Sequence, residues 1–236
     1  VIPVYNEAAA IKNNLEIISA ELDKINSRDL QIIVIDDGSE DDTAEKVYSE
    51  CVENSKMELI SFNKNFGKEA ALYAGLKYSS GDAVVVIDSD LQHPPSLISE
   101  MLELWKKGAM VVDACKSSRG QESNLSKFLS KTFYFLFKKM TKLDIENHSD
   151  FKLLDRMVVD EYCNLPERKR FFRGMIPYMG FPTKKILFKV QERKMGQSSW
   201  SRLLLFKYGI TAITNFTSTP LHIVSLISIL FFLSSI

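Results

Sequence analysis

Two carboxylates one residue apart are the first feature of this sequence that could do chemistry. In the stretch VVVIDSDLQHPP, residues 84–95, an apolar run leads directly into Asp88 and Asp90. Residues i and i+2 of an extended chain point the same way, about 6–7 Å apart. Two like charges held in this way repel each other unless a cation lies beside them, and a divalent ion with oxygen ligands, Mg²⁺ or Mn²⁺, suits that place. The pair therefore predicts a divalent-cation site, although a D-x-D alone is common in turns.

The elements that must position this pair alternate between strand and helix through residues 1–115. Continuous apolar runs predict strands, and apolar residues at helical spacing, such as Ile11, Leu15 and Ile18, predict the helices between them. This alternation is typical of an α/β fold with a mostly parallel sheet and helices on both faces, which binds ligands beyond the carboxyl ends of its strands. Polar residues follow four successive predicted strands, at positions 6–7, 36–37, 63–68 and 88–90. We therefore expect one site along this edge of the sheet.

Charge and cysteine content narrow the class of protein. The formal net charge is zero, but residues 1–115 carry 10 Lys and Arg against 21 Asp and Glu, whereas residues 116–236 carry 20 against 9. An acidic first half suits a metal or sugar site, and a basic second half suits an anion or a membrane surface. The cysteines, Cys51, Cys115 and Cys163, lack metal-ligand spacing and are odd in number. They argue against a disulfide framework and fit a reducing compartment.

A basic and aromatic stretch, NLSKFLSKTFYFLFKKMTKL, occupies residues 124–143. One interpretation is a core-facing helix with a lysine face. The other is an interfacial helix, with its aromatic rings at the acyl boundary and its lysines on anionic headgroups. The stretch SSWSRLLLFKYGI repeats the pattern at residues 198–210, where Trp200 and Tyr208 would serve as interface anchors.

The last 29 residues, 208–236, contain no Asp, Glu, Lys or Arg, and the run LHIVSLISILFFLSSI that closes them is almost wholly apolar. A spanning helix needs about 20 such residues. These 16 residues predict the start of a transmembrane helix, with a buried terminal helix as the alternative. Lys and Arg crowd the upstream side, so the positive-inside rule places the preceding domain in the cytoplasm, at the inner (plasma) membrane.

Eight motifs occur together and in a fixed order. They are VIPVYNE, VIDDGSEDDT, NFGKEAALYAG, DSDLQHPP, SDFKLLDRMVVD, LPERKRFFRG, ERKMGQSSW and TNFTSTPL. With them the sequence resembles the family-two glycosyltransferases of GT-A fold, and more narrowly the polyprenyl-phosphate glycosyltransferases, the group of bactoprenol glucosyltransferase and dolichol-phosphate mannose synthase. The resemblance covers essentially the whole chain.

The resemblance implies an enzyme that transfers a hexose from a nucleotide sugar to undecaprenyl phosphate, using Mg²⁺ or Mn²⁺. UDP-glucose is the first candidate for the donor, and the transfer inverts the configuration at the sugar carbon. It also implies a division into a nucleotide-sugar half at 1–120, an acceptor half at 121–198, a juxtamembrane amphipathic segment at 199–219 and the start of a transmembrane helix at 220–236. The expected partners are the nucleotide sugar, the polyprenyl phosphate and the membrane, without nucleic acid. A flat amphipathic collar would suit self-association as a homo-oligomer.

Several donor-side residues carry over from the family's motifs. Asp37 matches the acid that contacts the base, and a carboxylate can accept a hydrogen bond from a base N–H. Lys68 could approach the diphosphate or only cap its helix. The other matches are Pro3, Tyr5 and Glu7 in the first nucleotide-binding motif, Asp88 and Asp90 as metal ligands, and Gln92 near the sugar or acceptor.

Asp150 matches the acid proposed as the catalytic base of inverting relatives. A lipid phosphate is already anionic at pH 7, since its second pKa is about 6, so Asp150 could instead orient the acceptor. A third alternative is that it caps the N-terminus of a helix, FKLLDRMVVDEY.

Four more residues are candidates for phosphate or acceptor binding. The arginines among them, Arg170, Arg173 and Arg193, can bind phosphate oxygens bidentately. The fourth, Ser198, belongs with Arg193 to the family's R-x-x-G-x-S stretch. Ser199 stands where the family often has a lysine, so one positive charge for binding the acceptor or the diphosphate is missing at this position. Lys194 is a candidate to supply that charge instead.

Other functions fit less of the sequence. A phospho-receiver domain also has an Asp pair and a lysine, but it needs about half of this chain. A catalytically silent scaffold does not account for intact motifs at Asp88, Asp90 and Asp150. A processive polysaccharide synthase usually carries Q-x-x-R-W, where this chain has RKRFFRG. A polyprenyl-phosphate mannose synthase that uses GDP-mannose is the alternative that the sequence leaves open.

Overall fold

The computed structural model describes residues 1–25, 29–118, 132, 134–135, 137–189, 216–217 and 219–235. The chain forms two compact units. The first comprises Val1–Gly120 and Asn147–Gln197, and the second comprises Gln121–Glu146 and Ser198–Ile236. The chain thus leaves the first unit near the boundary predicted at 120 and returns to it at Asn147.

The first unit contains seven described strands. Three pair in parallel in the order β1-β2-β3, and four pair in the order β4-β6-β5-β7. Their bounds are β1 Ile2–Val4, β2 Ile32–Asp36, β3 Met57–Ser61, β4 Ala83–Val86, β5 Val111–Ser118, β6 His148–Asp155 and β7 Thr183–Lys189.

Val1 joins the two groups of strands. Its backbone N donates to the Val85 carbonyl at 2.8 Å, and its carbonyl accepts from Ile87 N at 3.1 Å. The predicted parallel pairing is confirmed for β1 with β2 and for β2 with β3. β5 and β7 also pair in parallel, although neither strand was predicted. β6 is different, because it runs antiparallel to both β4 and β5. The stretch between β5 and β6, residues 119–147, is long enough to bring the chain back in either direction.

Six described helices belong to the first unit. They are α1 Ile11–Asp23, α2 Thr43–Glu53, α3 Lys68–Tyr78, α4 Leu97–Lys106, α5 Arg156–Asn164 and α6 Phe172–Tyr178. The alternation of β2 shows how they cover both faces of the sheet. Ile32 and Val34 pack in the cluster that contains α1 and α2. Ile33 and Ile35 point the other way and pack with Ala71 of α3.

The second unit contains described helical residues at 137–141 and the helix α7, Thr219–Ser234. The Phe137 and Phe216 rings meet edge to face at 5.9 Å. Apolar side chains of α7 are exposed, among them Phe231 at 73% and Phe232 at 65%. Among the described helices, none reaches the combination of length and apolar character needed to cross a membrane.

Candidate active site

Reciprocal hydrogen bonds connect the loops that follow β1 and β2. Asn6 N donates to Ser39 Oγ at 2.9 Å, and Glu40 N donates back to Asn6 Oδ1 at 2.9 Å. Asn6 takes a left-handed conformation, with φ of 52°, which asparagine tolerates better than most residues. Glu7 N donates to Thr43 Oγ1 at 2.8 Å. The first nucleotide-binding motif therefore has a fixed backbone. Its predicted members are Pro3, inside β1, Tyr5, whose side chain is 39% exposed, and Glu7.

Asp37 points into the loop that follows β3. Its carboxylate accepts hydrogen bonds from Phe66 N at 2.8 Å, from Gly67 N at 2.9 and 3.1 Å, and from Asn65 Nδ2 at 3.1 Å. Burial raises the pKa of Asp37, and the two backbone N–H groups oppose that rise. Asp37 was predicted to contact the base, whereas in this structure its oxygens hold the 65–67 loop.

Gly38 makes the close approach between these two loops possible. It has φ of +68°, and a Cβ at this position would lie 2.3 Å from the Lys64 carbonyl carbon. An L side chain would therefore meet both an unfavourable backbone conformation and the backbone of the neighbouring loop.

Asp88 lies just beyond the end of β4, which ends at Val86, and Asp90 lies in the turn that begins at Ser89. Asp90 Oδ1 accepts from Gln92 N at 3.1 Å, and Leu91 between them has φ of 56°. The predicted pair does end this strand, but the turn replaces the extended spacing on which the prediction was based.

The carboxylate of Asp88 faces two cationic or basic side chains. Lys68 Nζ lies 2.5 Å from Asp88 Oδ1, and His93 Nδ1 lies 3.8 Å from Asp88 Oδ2. His93 is buried between the Phe151 and Phe188 rings, at centroid distances of 5.6 and 5.3 Å. Burial lowers the pKa of His93, and the nearby Asp88 opposes that effect. His93 stands within the DSDLQHPP motif but was not predicted as a site residue.

Asp150 receives two cations. Arg173 donates to both of its oxygens, from Nε at 3.2 Å and from Nη2 at 3.1 Å. Lys68 Nζ lies 2.9 Å from Asp150 Oδ2, so Lys68 bridges Asp150 and Asp88. Burial raises the pKa of Asp150, but Arg173 and Lys68 outweigh it and hold the pKa well below its ordinary value. Burial lowers the pKa of Lys68, yet the two carboxylates raise it above its ordinary value.

The alternative in which Asp150 caps a helix is wrong. Residues His148–Asp155 form a strand, and the helix begins only at Arg156, with Asp155 as its N-cap. The Asp155 side chain accepts from Met157 N at 3.0 Å. The four residues DFKL, 150–153, alternate polar and apolar side chains as strands do, and this signal could have identified the strand.

Arg170 and Arg173 have different surroundings although they stand in one motif. Glu69 Oε2 accepts from Phe172 N at 2.8 Å, which fixes the first turn of α6 and with it Arg173. Arg170 donates to the carbonyls of Tyr162 at 2.6 Å and Leu165 at 2.9 Å, and its guanidinium lies over the Tyr73 ring. These contacts favour a structural role for Arg170 over the predicted binding of phosphate.

Lys116 on β5 is a further basic residue, not revealed by the motifs, whose charge interacts with those of the site. Burial lowers its pKa, the charge of Arg173 adds to that effect, and Asp150, Asp88 and Asp90 oppose it. It therefore shares an electrostatic environment with the acids of the site. The remaining predicted residues, Arg193 and Ser198, lie outside the described residues, as do Lys194 and Ser199.

The carboxylates after β4 fit an oxygen-ligated divalent cation. The Lys68 ammonium already lies 2.5 Å from Asp88, so this carboxylate faces a position that a cation can occupy. Asp90 follows two residues later, in the adjoining turn. Carboxylate oxygens are the ligands that Mg²⁺ and Mn²⁺ favour.

A second group, Asp113, Cys115 and His148, has donor atoms within 4.8 Å of one another. Asp113 is already paired with Lys152 Nζ at 2.5 Å. Burial raises the pKa of the Cys115 thiol to about 11, which disfavours the thiolate that a metal would bind. A buried thiol and imidazole do not suit Mg²⁺ or Mn²⁺, so this group fits the predicted metal less well than the turn after β4 does.

Comparison with known proteins agrees with this arrangement. Residues 1–163 match Glycosyl transferase family 2. An uncharacterised glycosyltransferase of Synechocystis is 37% identical, over 94% of this chain and 70% of its own length. The bactoprenol glucosyl transferase of Shigella phage SfV is 36% identical, over 94% of this chain and 73% of its own length.

Solved structures share the fold. Glucosyl-3-phosphoglycerate synthase from Mycobacterium tuberculosis, in complex with Mn²⁺, UDP and phosphoglyceric acid, has a TM-score of 0.62 at 21% identity, over 89% of this chain and 72% of its own. Mannosyl-3-phosphoglycerate synthase from Rubrobacter xylanophilus has a TM-score of 0.63 at 20% identity, over 90% of this chain and 70% of its own. These likenesses confirm the predicted GT-A-type α/β fold.

Proposed function

This chain belongs to Glycosyl transferase family 2, and we propose that it transfers a hexose from a nucleotide sugar to a polyprenyl phosphate such as undecaprenyl phosphate. We propose UDP-glucose as the first candidate for the donor. The acceptor is suggested by relatives named as bactoprenol glucosyl transferases, which align with 94% of this chain. The donor nucleotide is suggested by the solved neighbour that contains UDP and Mn²⁺.

The observation that carries the proposal is the row of alternating charges formed by Asp88, Lys68, Asp150 and Arg173. Both substrates are phosphates, and a reaction between them needs positive charge in fixed positions at the carboxyl ends of the strands. Asp88 and Asp90 would hold Mg²⁺ or Mn²⁺, which when bound supplies positive charge to the departing nucleoside diphosphate.

Asp150 acts by orienting its neighbours rather than by taking a proton. A carboxylate that pairs with Arg173 at 3.1 Å and Lys68 at 2.9 Å is a weak base, because both cations favour its ionised form. The acceptor phosphate needs little help, since its second pKa is about 6. Asp150 therefore holds Lys68 and Arg173 where their N–H groups can meet phosphate oxygens.

The phosphate oxygen then attacks the sugar carbon from the side opposite to the nucleoside diphosphate. The new C–O bond forms as the bond to the diphosphate breaks, and the electron pair leaves with the diphosphate. A single displacement of this kind inverts the configuration at that carbon. Lys116, which lies in the same electrostatic environment as Asp88 and Asp150, adds positive charge for the anionic groups.

We place this reaction at the cytoplasmic face of the plasma membrane. The exposed apolar side chains of α7, such as Leu230 and Phe231, would reach the acyl region, and the basic second half of the sequence would meet anionic headgroups. The unbridged cysteines Cys51, Cys115 and Cys163 suit a reducing compartment.

A panel of donors and acceptors tests the proposal. The full chain in membranes is incubated with Mn²⁺ and radiolabelled UDP-glucose, UDP-galactose, UDP-N-acetylglucosamine or GDP-mannose, each with undecaprenyl phosphate or with 3-phosphoglycerate. We expect label in the organic phase with undecaprenyl phosphate and a UDP-hexose. Organic-phase label from GDP-mannose alone would support a mannose synthase. Label in water-soluble product or in polymer would contradict the lipid acceptor.

A further inference from the structure

Asp150 lies inside an irregularity of the sheet. On one side of it Asp113 of β5 is opposite Lys152 of β6, and on the other side Cys115 is opposite His148. Three residues of β6, numbers 149–151, therefore face the single residue Ala114 of β5. Bulges of this kind change the direction in which a side chain points and often occur beside active sites.

Hydrogen bonds of Ser149 fix the centre of the bulge. Its hydroxyl donates to the Ala114 carbonyl at 2.5 Å and accepts from Phe151 N at 3.2 Å. Ser149 is 1% exposed, so water does not compete for these bonds. The residues on either side of Asp150 are thus tied to each other and to β5.

The two ends of the bulge are held by one carboxylate. Lys152 Nζ lies 2.5 Å from Asp113 Oδ1, and His148 Nδ1 contacts Asp113 Oδ2. His148 and Lys152 flank Asp150 at a distance of two residues on each side, so Asp113 connects the first and the last residue of the irregular stretch.

Burying these two charges costs free energy that a purely structural contact would not need to spend. Lys152 is 0% exposed and Asp113 is 2% exposed, and their contacts are those of ion pairs without the alignment of good hydrogen bonds. Replacing such a buried pair with apolar residues is often neutral or stabilising. Neighbouring positions of the same strands, such as Val112 and Leu153, are apolar. The buried pair of charges lies at the part of the strand that carries Asp150.

Electrostatics connect the pair to the site as well. Burial lowers the pKa of Lys152, while Asp113 and then Asp150 oppose that effect. Burial raises the pKa of Asp113, but Lys152 and His148 outweigh it and bring the pKa below its ordinary value. Lys152 therefore interacts both with Asp113 and with Asp150, the acid that holds Lys68 and Arg173.

We propose that Asp113 is a positioning residue, which clamps Lys152 and His148 at the two ends of the bulge and thereby directs the Asp150 carboxylate toward Lys68 and Arg173. The effect on turnover rests on the proposed sugar transfer. The effect on the geometry of Asp150 does not rest on that proposal, because the chemical reactivity of Lys68, which pairs with Asp150, measures it directly.

The turnover test is a double-mutant cycle on the full chain with Asp113→Asn, Asp150→Asn and the combined variant. If Asp113 acts through Asp150, Asp113→Asn lowers kcat about tenfold or more with the donor KM unchanged, and the combined variant has the same kcat as Asp150→Asn. Losses in kcat that multiply in the combined variant would overturn the proposal.

Two variants separate positioning from folding. Ser149→Ala loosens the bulge without leaving a buried charge, and we expect a several-fold loss of kcat. Trp105→Phe is the matched control, because it removes the 2.8 Å bond from Trp105 Nε1 to Asp155 Oδ2 at the far end of β6. It is expected to lower the unfolding temperature with kcat unchanged. If Ser149→Ala keeps the wild-type kcat, or if kcat follows the unfolding temperature in both variants, the role is only structural.

A chemical readout needs no knowledge of the reaction. Lys68 is acetylated with an N-hydroxysuccinimide ester and its rate is compared, by mass spectrometry, with that of exposed Lys107. We expect Asp113→Asn and Ser149→Ala to raise the Lys68 rate several-fold, since Asp150 no longer holds the ammonium. An unchanged rate would overturn the clamp even if transfer is observed. If the wild type transfers no sugar, the proposed function fails, and this rate still decides the clamp.

Discussion

Lys68 and Asp150 are 82 positions apart in the chain, and the Lys68 ammonium donates to Asp150 Oδ2 at 2.9 Å. Lys68 is the first residue of α3 and Asp150 lies in β6. The contact therefore joins α3, which packs against the parallel strand β2, to the antiparallel strand β6. The same ammonium lies 2.5 Å from Asp88, so one side chain connects the two acids on which the proposed chemistry depends.

Stability at low pH tests the ion pairs of Asp150. The folded pKa of Asp150 is depressed, with Arg173 and Lys68 outweighing burial. Its pairs therefore stabilise the folded chain above the unfolded carboxyl pKa of about 3.9, and this contribution is lost as pH falls through the lower folded pKa. We expect Asp150→Asn to lower the urea midpoint at pH 7 and to differ less from the wild type near pH 3.

The control for this experiment is Asp160→Asn, at an exposed carboxylate 3.5 Å from Arg156. It should change the urea midpoint little at either pH. A difference between Asp150→Asn and the wild type that is equally large at pH 7 and pH 3 would contradict the depressed pKa.

Removal of Lys68 should affect cation binding and turnover in opposite directions. Lys68→Met takes away the ammonium that pairs with Asp88, so the affinity for Mn²⁺ without nucleotide should rise several-fold, as measured by electron paramagnetic resonance. Turnover should fall by about 10² or more, because a positioned charge is lost. Exposed Lys107→Met should change neither. Weaker Mn²⁺ binding by Lys68→Met would show that Asp88 is not the cation ligand.

Two glycines with positive φ separate conformational strain from steric overlap. Gly108→Ala meets no atom within 4 Å, so only the left-handed backbone matters, at about 1–2 kcal/mol. Gly38→Ala also places a Cβ 2.3 Å from the Lys64 carbonyl carbon and should cost about 3 kcal/mol or more. Urea unfolding of both variants measures the difference. Equal losses of unfolding free energy would contradict the close approach of the two loops.

Asp37→Ala distinguishes a loop anchor from a base contact. As the acceptor for Phe66 N and Gly67 N, Asp37 should contribute about 1.5–3 kcal/mol to the free energy of unfolding. We expect that loss in urea, accompanied by weaker UDP binding in calorimetry. Exposed Asp42→Ala is the control. Full stability with lost UDP affinity would show that the carboxylate serves the base instead.

The alternation of strands and helices through residues 1–115 and the clustering of polar residues at the carboxyl ends of the strands could be predicted from the sequence. Continuous apolar runs mark buried strands, and parallel strands bring their ends to one edge. The position of Asp88 and Asp90 after β4 was predicted on this basis and is confirmed.

Long-range pairing could not be predicted in the same way. The antiparallel entry of β6 depends on the path of the chain through residues 119–147, and no local pattern specifies it. The helix cap, one of the three alternatives for Asp150, is wrong for this reason, since the same residues can start a helix or continue a strand until a partner strand decides between them. Arg170 and Arg173 show the same limit, because their type and spacing do not reveal that carbonyls bind one and a carboxylate binds the other.

The buried residues His93 and Asp113 were missed for a related reason. A histidine beside two prolines and an acid within an apolar strand carry no periodic signal of their own. Their roles come from contacts made across the fold, with Asp88 for His93 and with Lys152 for Asp113.

The most direct test of the proposed function measures lipid-linked sugar formed by the full chain in membranes from radiolabelled UDP-glucose and undecaprenyl phosphate as Mn²⁺ is titrated. Wild type, Asp88→Asn and the exposed control Glu103→Gln are compared. We expect Mn²⁺-dependent label in the organic phase for wild type and the control, and a loss of about 10² or more in Asp88→Asn. Equal transfer by Asp88→Asn, or UDP release with no lipid-linked sugar, would contradict the proposed function.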